Sequence, residues 1–201
     1  QRGNHKNLGV QVPRQFLQVI AGKHQQPYIE GSGRLQLAEA MMSSSNPLAA
    51  RVIVNRIWKH HFGSGIVSTA DNFGQTGKRP THPKLLDYLA SYLIDNNWSL
   101  KKIHRLLLLS STYRTSSHPS DRSKEIDPQN RWLQHTNVKR LEAEVIRDTV
   151  LTVSGSLNRT LGGPGIAPFI TQYQHGRGKP KSGPLNGNGR RSIYLQVRRN
   201  F

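Results

Sequence analysis

The sequence predicts a mainly α-helical fold of four to five packed helices, with long glycine-rich loops and a peripheral C-terminal β-strand. Apolar residues recur at helical spacing in several separated stretches, each bounded by capping or breaking residues. Leu, Ile, Val and Phe make up 49 of the 201 residues, about 24%, which suffices for a modest hydrophobic core. Residues 162–189 contain eight Gly and four Pro, a composition typical of loops.

The first elements follow an N-terminal segment, residues 1–32. Its apolar residues show no regular spacing, and it is interpreted as an extended linker. A short helix is predicted over Gly33–Met42. The next helix begins after Asn46, which can cap it ahead of Pro47, and ends at Gly63. Its apolar residues recur at helical spacing, which predicts a buried face.

Two further helices are predicted beyond a glycine-rich connecting loop, residues 63–80. The first takes Thr81 as its cap and ends at Asn96. The second runs from Leu100 to about Thr112. Because only a few residues join them, we expect an antiparallel or angled helical pair.

The C-terminal part is predicted to contain one long helix and one strand. The helix spans Val138–Leu157. Its apolar stripe consists of Leu141, Val145, Thr149, Val153 and Leu157. The strand spans Ser192–Val197, where apolar residues occupy alternate positions. Residues 33–201 are therefore expected to form a single helical domain, truncated at its C-terminal end.

Basic residues concentrate near the C-terminus. The chain carries 29 Lys and Arg against 11 Asp and Glu, a formal net charge of +18. Residues 159–201 contain eight of these cations and no acidic side chain. Such a surface attracts anionic partners without identifying them. The residues predicted to bind are Arg190, Arg191, Arg198 and Arg199.

The composition excludes several kinds of site. Without cysteine the chain forms no disulfide, Cys-ligated zinc site, iron–sulfur cluster, thiol nucleophile or covalently attached c-type haem. Its longest aliphatic run, Leu106–Leu109, is far shorter than the roughly 18 apolar residues of a transmembrane helix. The sequence therefore predicts no cofactor within this chain and no transmembrane segment.

Two carboxylates on the last predicted helix, Glu144 and Asp148, are candidates for acid–base catalysis. In that hypothesis His104 and Arg191 complete a cleft around them. The competing interpretation is structural, because Glu144 is spaced for an intrahelical ion pair with Arg147. No sequence motif supports a nucleophilic triad.

Histidines offer one conceivable metal site. His60 and His61 are adjacent on one predicted helix, and His82 and His104 belong to later ones. Adjacent helical residues point about 100° apart, so the first two cannot both face one ion without distortion. The sequence therefore predicts no metal site.

Five stretches of the chain, taken in order, carry a family resemblance. They read NPLAARVIVNRIWKHHFGSGIV, DNFGQTGKRPTHPKLLDYLASYLI, NWSLKKIHRLLLLSSTYR, KRLEAEVIRDTVLTVSGSL and GRRSIYLQVRRN. Together they resemble the planctomycete domain of unknown function 1553, from about Ser32 to Asn200. The resemblance implies an extracytoplasmic setting in a large exported protein, where a neighbouring cytochrome-c-like domain can carry haem. It supplies no reaction, substrate or catalytic residues.

Three function classes remain open at this point. The leading hypothesis is an uncharacterised module of an exported multidomain protein, whose basic face docks a neighbouring domain or an anionic polymer such as an acidic polysaccharide. The second is an enzyme domain that acts on polysaccharide or in a redox assembly. The third is a nucleic-acid binder, which the charge permits. That class is disfavoured because the sequence has no helix-turn-helix, zinc-finger or RNA-recognition signature.

Overall fold

A computed structural model describes residues 9–173 and 181–197. The chain divides into two compact units, Gln1–Val138 and Lys139–Phe201, here called the N-terminal unit and the C-terminal unit. The helices of the N-terminal unit are α1 (Gln18–Ala21), α2 (Arg34–Met42), α3 (Pro47–Phe62), α4 (Pro83–Asp95), α5 (Leu100–Leu109) and α6 (Asp121–Ile126). The C-terminal unit contains α7 (Ala143–Val153) and two 3₁₀ turns, Gly187–Gly189 and Ser192–Tyr194. The predicted mainly helical class is confirmed.

The boundaries of α3 follow from residues next to its ends. The side-chain oxygen of Asn46 accepts a hydrogen bond from the Leu48 amide at 3.1 Å, and Pro47 fills the first helical position. At the other end Gly63 has a φ of 88°, a left-handed conformation that glycine adopts without strain. Both predicted ends of this helix are confirmed.

The hydrophobic core of the N-terminal unit forms where α3, α4 and α5 pack together. Its buried members are Ala50, Val54, Trp58, Phe62, Ile66, Val67, Leu86, Leu89, Ala90, Leu93, Ile103 and Leu107. Full burial of a large aliphatic or aromatic side chain stabilises a fold by about 1.5–3 kcal/mol. Apolar packing is therefore the main force that holds this unit together.

A buried polar residue fixes the loop that follows α3. Asn55 is fully buried, and its side-chain amide donates to the Val67 carbonyl at 3.0 Å while its oxygen accepts from the Val67 amide at 2.8 Å. Gly65 lets the loop approach, because a Cβ there would lie 2.9 Å from the Asn55 amide. The loop consequently delivers Ile66 and Val67 to the core.

The ends of the next helices differ from the prediction. Residue His82 caps α4, while the Thr81 hydroxyl donates to the Ile66 carbonyl at 3.3 Å, so the predicted Thr81 cap is wrong. The helix α5 ends at Leu109 rather than near Thr112. There the Ser110 hydroxyl donates to the Leu107 carbonyl, which favours a turn.

The C-terminal unit departs further from the prediction. Its helix, α7, is shorter than the predicted Val138–Leu157 at both ends. The predicted strand over Ser192–Val197 is wrong: a 3₁₀ turn occupies its first half, and Leu195 forms only an isolated bridge with Ile166. The physical reason lies in the Ser192 amide, which donates to the Asp148 carboxylate rather than to a neighbouring strand.

Across residues 9–173 and 181–197, none of the helices combines the length and apolar character that crossing a bilayer requires.

Candidate functional site

Within the C-terminal unit, the side chain of Arg147 connects α7 to the loop that contains residues 186–192. Its guanidinium donates to the Asn186 carbonyl at 2.7 Å, to the Arg190 carbonyl at 2.8 Å and to the Ser192 hydroxyl at 3.1 Å. A guanidinium presents five donors in a fixed plane, so one side chain can bind several carbonyl groups at once. The Arg147 guanidinium is therefore engaged in contacts within the C-terminal unit.

The neighbouring carboxylate, Asp148, binds the same loop. One of its oxygens accepts the Ser192 amide at 2.8 Å and the Ser192 hydroxyl at 2.7 Å. Burial opposes the charge, yet the Ser192 hydrogen bonds and the positive charges of Arg147 and Arg191 outweigh it, so the pKa of Asp148 is lowered. The carboxyl group therefore stays ionised at neutral pH and cannot act as a proton donor there.

A tight turn lets the loop approach α7. Gly187 has a φ of 61°, and a Cβ at this position would lie 2.8 Å from the Arg147 guanidinium. Gly189 has a φ of 67°, and a Cβ there would collide with the Ser156 carbonyl. The positive φ favours glycine at both positions, and at Gly189 the Ser156 carbonyl also leaves no room for a side chain.

A cleft of about 500 Å³ opens beside this network, within the C-terminal unit. Its walls are formed by Val145, Asp148, Thr149, Thr152, Val153, Leu157, Arg159 and Arg191. The cleft is mostly apolar, and two guanidinium groups are its positive charges. Arg159 is exposed and forms no hydrogen bond or ion pair with any other described residue. The Arg191 side chain is 51% exposed and lies 4.0 Å from the second oxygen of Asp148.

The structure describes two of the four arginines predicted to bind. Arg190 donates to the Gly162 carbonyl at 2.6 Å, and its guanidinium lies 4.1 Å from the centre of the Tyr194 ring, so it holds the loop together. Arg191 lines the cleft. Arg198 and Arg199 lie outside the described residues, and their role stays a prediction.

The catalytic candidates are distributed over both units. Glu144 is exposed in the first turn of α7. The arginines near it form ion pairs with Asp148, Arg147 at 3.4 Å and Arg191 at 4.0 Å. His104 belongs to α5 of the N-terminal unit, where its Nδ1 lies 2.8 Å from Nε2 of His61. Of the four residues in the enzyme hypothesis, Asp148 and Arg191 line the cleft.

Metal-ligating side chains do not assemble in the part of the chain that the structure describes. No group of three or more His, Asp or Glu side chains there is arranged to hold an ion. The contact between His61 and His104 is a pair, and two imidazoles at this distance share one proton in a hydrogen bond.

Sequence reasoning found the helix that carries the cleft but not the cleft itself. The predicted stripe contains Val145, Thr149, Val153 and Leu157, and the structure shows these residues along the cleft wall. Arg159 was missed as an individual residue, because it lies beyond the helix and belongs to a general excess of cations. No local pattern distinguishes it from the other cations of residues 159–201.

A second cavity, of about 570 Å³, lies in the N-terminal unit between the N-terminal segment, α2 and α3. Its lining is mostly apolar and includes Met41 and Met42, the two methionines of the chain. No charged side chain lines it, and its polar side chains are Gln15 and Asn46. The Oε1 atom of Gln15 is buried and has no hydrogen-bond partner among the described residues.

Comparison with known proteins gives one family match. The family described as PSD1, a protein of unknown function (DUF1553), matches residues 33–201 and so covers both units apart from the N-terminal segment. No curated protein and no solved structure matches the chain. The match extends over more than three quarters of the sequence, and we conclude that the chain belongs to the DUF1553 family of unknown function.

Proposed function

We propose that this chain is a docking module that binds an anionic partner through the basic surface of its C-terminal unit. The observation that carries the proposal is the cleft beside α7, where Arg159 and Arg191 present positive charge that internal contacts leave uncompensated or only weakly compensated. A neighbouring domain of the parent protein and an anionic polymer are the partners that such a surface suits.

The charge balance of the C-terminal unit supports the proposal. Its described residues include seven Lys and Arg against three Asp and Glu. One of the three carboxylates, Asp148, is already bound by Ser192 and two arginines. The lowered pKa of Asp148 counts against the enzyme alternative, because a carboxyl group that donates protons at neutral pH needs a raised pKa.

The setting of the module is a further part of this proposal and rests on the family resemblance. We place it outside the cytoplasm, in an exported multidomain protein in which any haem belongs to a neighbouring domain. Fractionation of cells that express the full parent protein tests the setting. Recovery from the extracytoplasmic fraction supports it, and recovery with cytoplasmic proteins contradicts it.

The docking function is tested by titrating the full chain against a sulfated polysaccharide, polyglutamate, duplex DNA and a neutral glucan over a series of salt concentrations. We expect the anionic probes to bind, the neutral glucan not to bind, and affinity to fall as salt rises. A folded chain that binds none of the anions would contradict the proposal.

Charge-matched variants separate the cleft from the general basicity of the chain. The double variant Arg159→Gln/Arg191→Gln removes two cations from the cleft. The control Lys101→Gln/Arg105→Gln removes two exposed cations from α5 in the N-terminal unit. We expect the first to weaken anion binding by about tenfold or more, at roughly 1 kcal/mol per exposed charge pair. Equal losses in both double variants would show that the cleft has no special role.

A further inference from the structure

The helix α7 has apolar side chains that the described residues leave half to mostly exposed. Val145 and Ile146 are 45% and 46% exposed, Val150 is 61% exposed and Val153 is 84% exposed. The same helix has no buried residue. An amphipathic helix ordinarily buries its apolar face, and a contiguous apolar surface beside polar groups is typical of an interaction site.

The positive charges stand at this same surface. Arg159 and Arg191 line the cleft together with Val145 and Val153, so apolar and cationic groups line the same cleft. A ligand that complements it must carry an anion and aliphatic groups close together. A polysaccharide or nucleic-acid backbone supplies the charge but has no aliphatic side chains, and would cover Val153 less completely than a peptide side chain does.

Besides its apolar and cationic groups, the cleft contains a hydrogen-bond acceptor. The oxygen of Asp148 that faces Arg191 has that guanidinium, at 4.0 Å, as its one partner among the described residues, whereas the other oxygen takes both Ser192 donors. Because the carboxylate is ionised, its free lone pairs favour an N–H donor. A peptide backbone offers such a donor beside its side chains.

We propose that the cleft beside α7 binds a peptide segment of a partner protein in which acidic side chains alternate with aliphatic ones. The acidic groups pair with Arg159 and Arg191, the aliphatic groups cover Val145 and Val153, and a backbone N–H donates to Asp148. This inference rests on the proposed docking function and names the chemical class of its partner.

The test measures fluorescence anisotropy of three labelled peptides on the full chain. The first alternates Glu and Leu, the second replaces Leu with Ser, and the third replaces Glu with Gln. We expect the Glu–Leu peptide to bind at least about tenfold more tightly than either of the others, since burial of one Leu is worth about 1.5–3 kcal/mol.

Two pairs of variants, checked for folding by circular dichroism, locate the binding site. Arg159→Gln and Val153→Ser remove one cation and one apolar group from the cleft, and each should weaken the Glu–Leu peptide by about fivefold. Lys181→Gln and Val197→Ser are the matched controls, because both residues are exposed, belong to the same unit and lie outside the cleft lining. The controls should leave the affinity unchanged.

The outcomes separate this inference from the docking function. If the Glu–Ser peptide binds as tightly as the Glu–Leu peptide and Val153→Ser has no effect, anion docking stands and the peptide class is overturned. If a polyuronate competes better than the Glu–Leu peptide, the partner is a polysaccharide and the inference fails. If neither acidic peptide nor any polyanion binds, the docking function itself fails. Equal binding of the Gln–Leu peptide overturns the role of the cations.

Discussion

In the N-terminal unit three helices meet around buried apolar side chains, whereas α7 in the C-terminal unit meets its loop through hydrogen bonds. All of the buried apolar side chains in the described part of the chain belong to the N-terminal unit. The C-terminal unit instead relies on Arg147 and Asp148, which bind carbonyl, amide and hydroxyl groups between residues 186 and 192.

Under the proposed docking function, this difference separates stability from binding. The N-terminal unit is stabilised by a shared apolar core, although it also leaves side chains such as Leu35 and Leu109 exposed. The C-terminal unit leaves Val150 and Val153 exposed, because polar contacts fix α7 from the side that bears Arg147 and Asp148. The cleft is therefore placed where apolar groups and cations remain available together.

The largest expected effect on the free energy of unfolding comes from truncating a side chain in the apolar core. Leu93 in α4 is fully buried, and Leu93→Ala should destabilise the N-terminal unit by about 2–5 kcal/mol through lost burial and a residual cavity. Urea unfolding followed by tryptophan fluorescence measures this, because Trp58, Trp98 and Trp132 all belong to that unit. The control Leu109→Ala, at a side chain 61% exposed, should change stability by under about 0.5 kcal/mol. Similar losses in both would refute the location of the core.

The next effect concerns Asn55, a buried polar residue of α3. Asn55→Ala leaves the amide and the carbonyl of Val67 buried without their partner, which should cost about 2–3 kcal/mol. The same fluorescence-detected unfolding measures the loss, and Lys59→Ala, at an exposed position of the same helix, is the control. A neutral Asn55→Ala would mean that the loop after α3 does not depend on this residue.

In the C-terminal unit the matching experiment is Arg147→Ala. Removing the guanidinium deletes hydrogen bonds to Asn186, Arg190 and Ser192, so the loop should open more often. Hydrogen exchange at the Ser192 amide should accelerate by about tenfold to a hundredfold, as expected for a loss of about 1–3 kcal/mol. Arg140→Ala, at an exposed position of the same unit, should leave that rate unchanged. Unchanged hydrogen exchange in Arg147→Ala would contradict the conclusion that hydrogen bonds hold the loop of this unit on α7.

The smallest effect is a dependence on pH. Because the pKa of Asp148 lies below its ordinary value of 3.8, its contribution to stability is present in full above that pH and is lost as the pH falls through the lowered pKa. Amide NMR signals of residues 186–192 should therefore shift below pH 3.8. In Asp148→Asn that acid transition should disappear.

A second aspartate provides the control for that titration. Burial opposes the charge of Asp127, but hydrogen bonds from the Trp132 and Arg131 amides outweigh it, and its pKa is lowered too. Asp127 belongs to the N-terminal unit, so Asp127→Asn should leave the acid transition of residues 186–192 in place. An acid transition that survives in Asp148→Asn would show that another group controls the loop.

The comparison also explains which parts of the fold the sequence could predict. The ends of α3 are encoded within a few residues, by Asn46, Pro47 and Gly63, and both were predictable. Asn55 is a polar residue of the same helix, and its burial depends on a loop that returns after it with Gly65 at the contact. Local patterns do not report such a return.

The C-terminal unit was less predictable because its decisive contacts join distant residues. The alternation over Ser192–Val197 is typical of a strand, yet the Ser192 amide is taken by Asp148, 44 positions earlier. Likewise the spacing of Glu144 and Arg147 suggested an intrahelical ion pair, whereas Arg147 binds backbone carbonyls of the loop. Charge density pointed to the C-terminal unit, but the two cations that line the cleft can be identified only once the loop is folded.

Hydrogen–deuterium exchange of the full chain, with and without the Glu–Leu peptide, tests the central claim most directly. That claim is that the C-terminal unit, which polar contacts hold together, is the one that binds. The account predicts slower exchange in α7 and in residues 156–159 and 186–192, with α3, α4 and α5 unchanged. Slower exchange confined to α3, α4 and α5, or no change anywhere at saturating peptide, would contradict it.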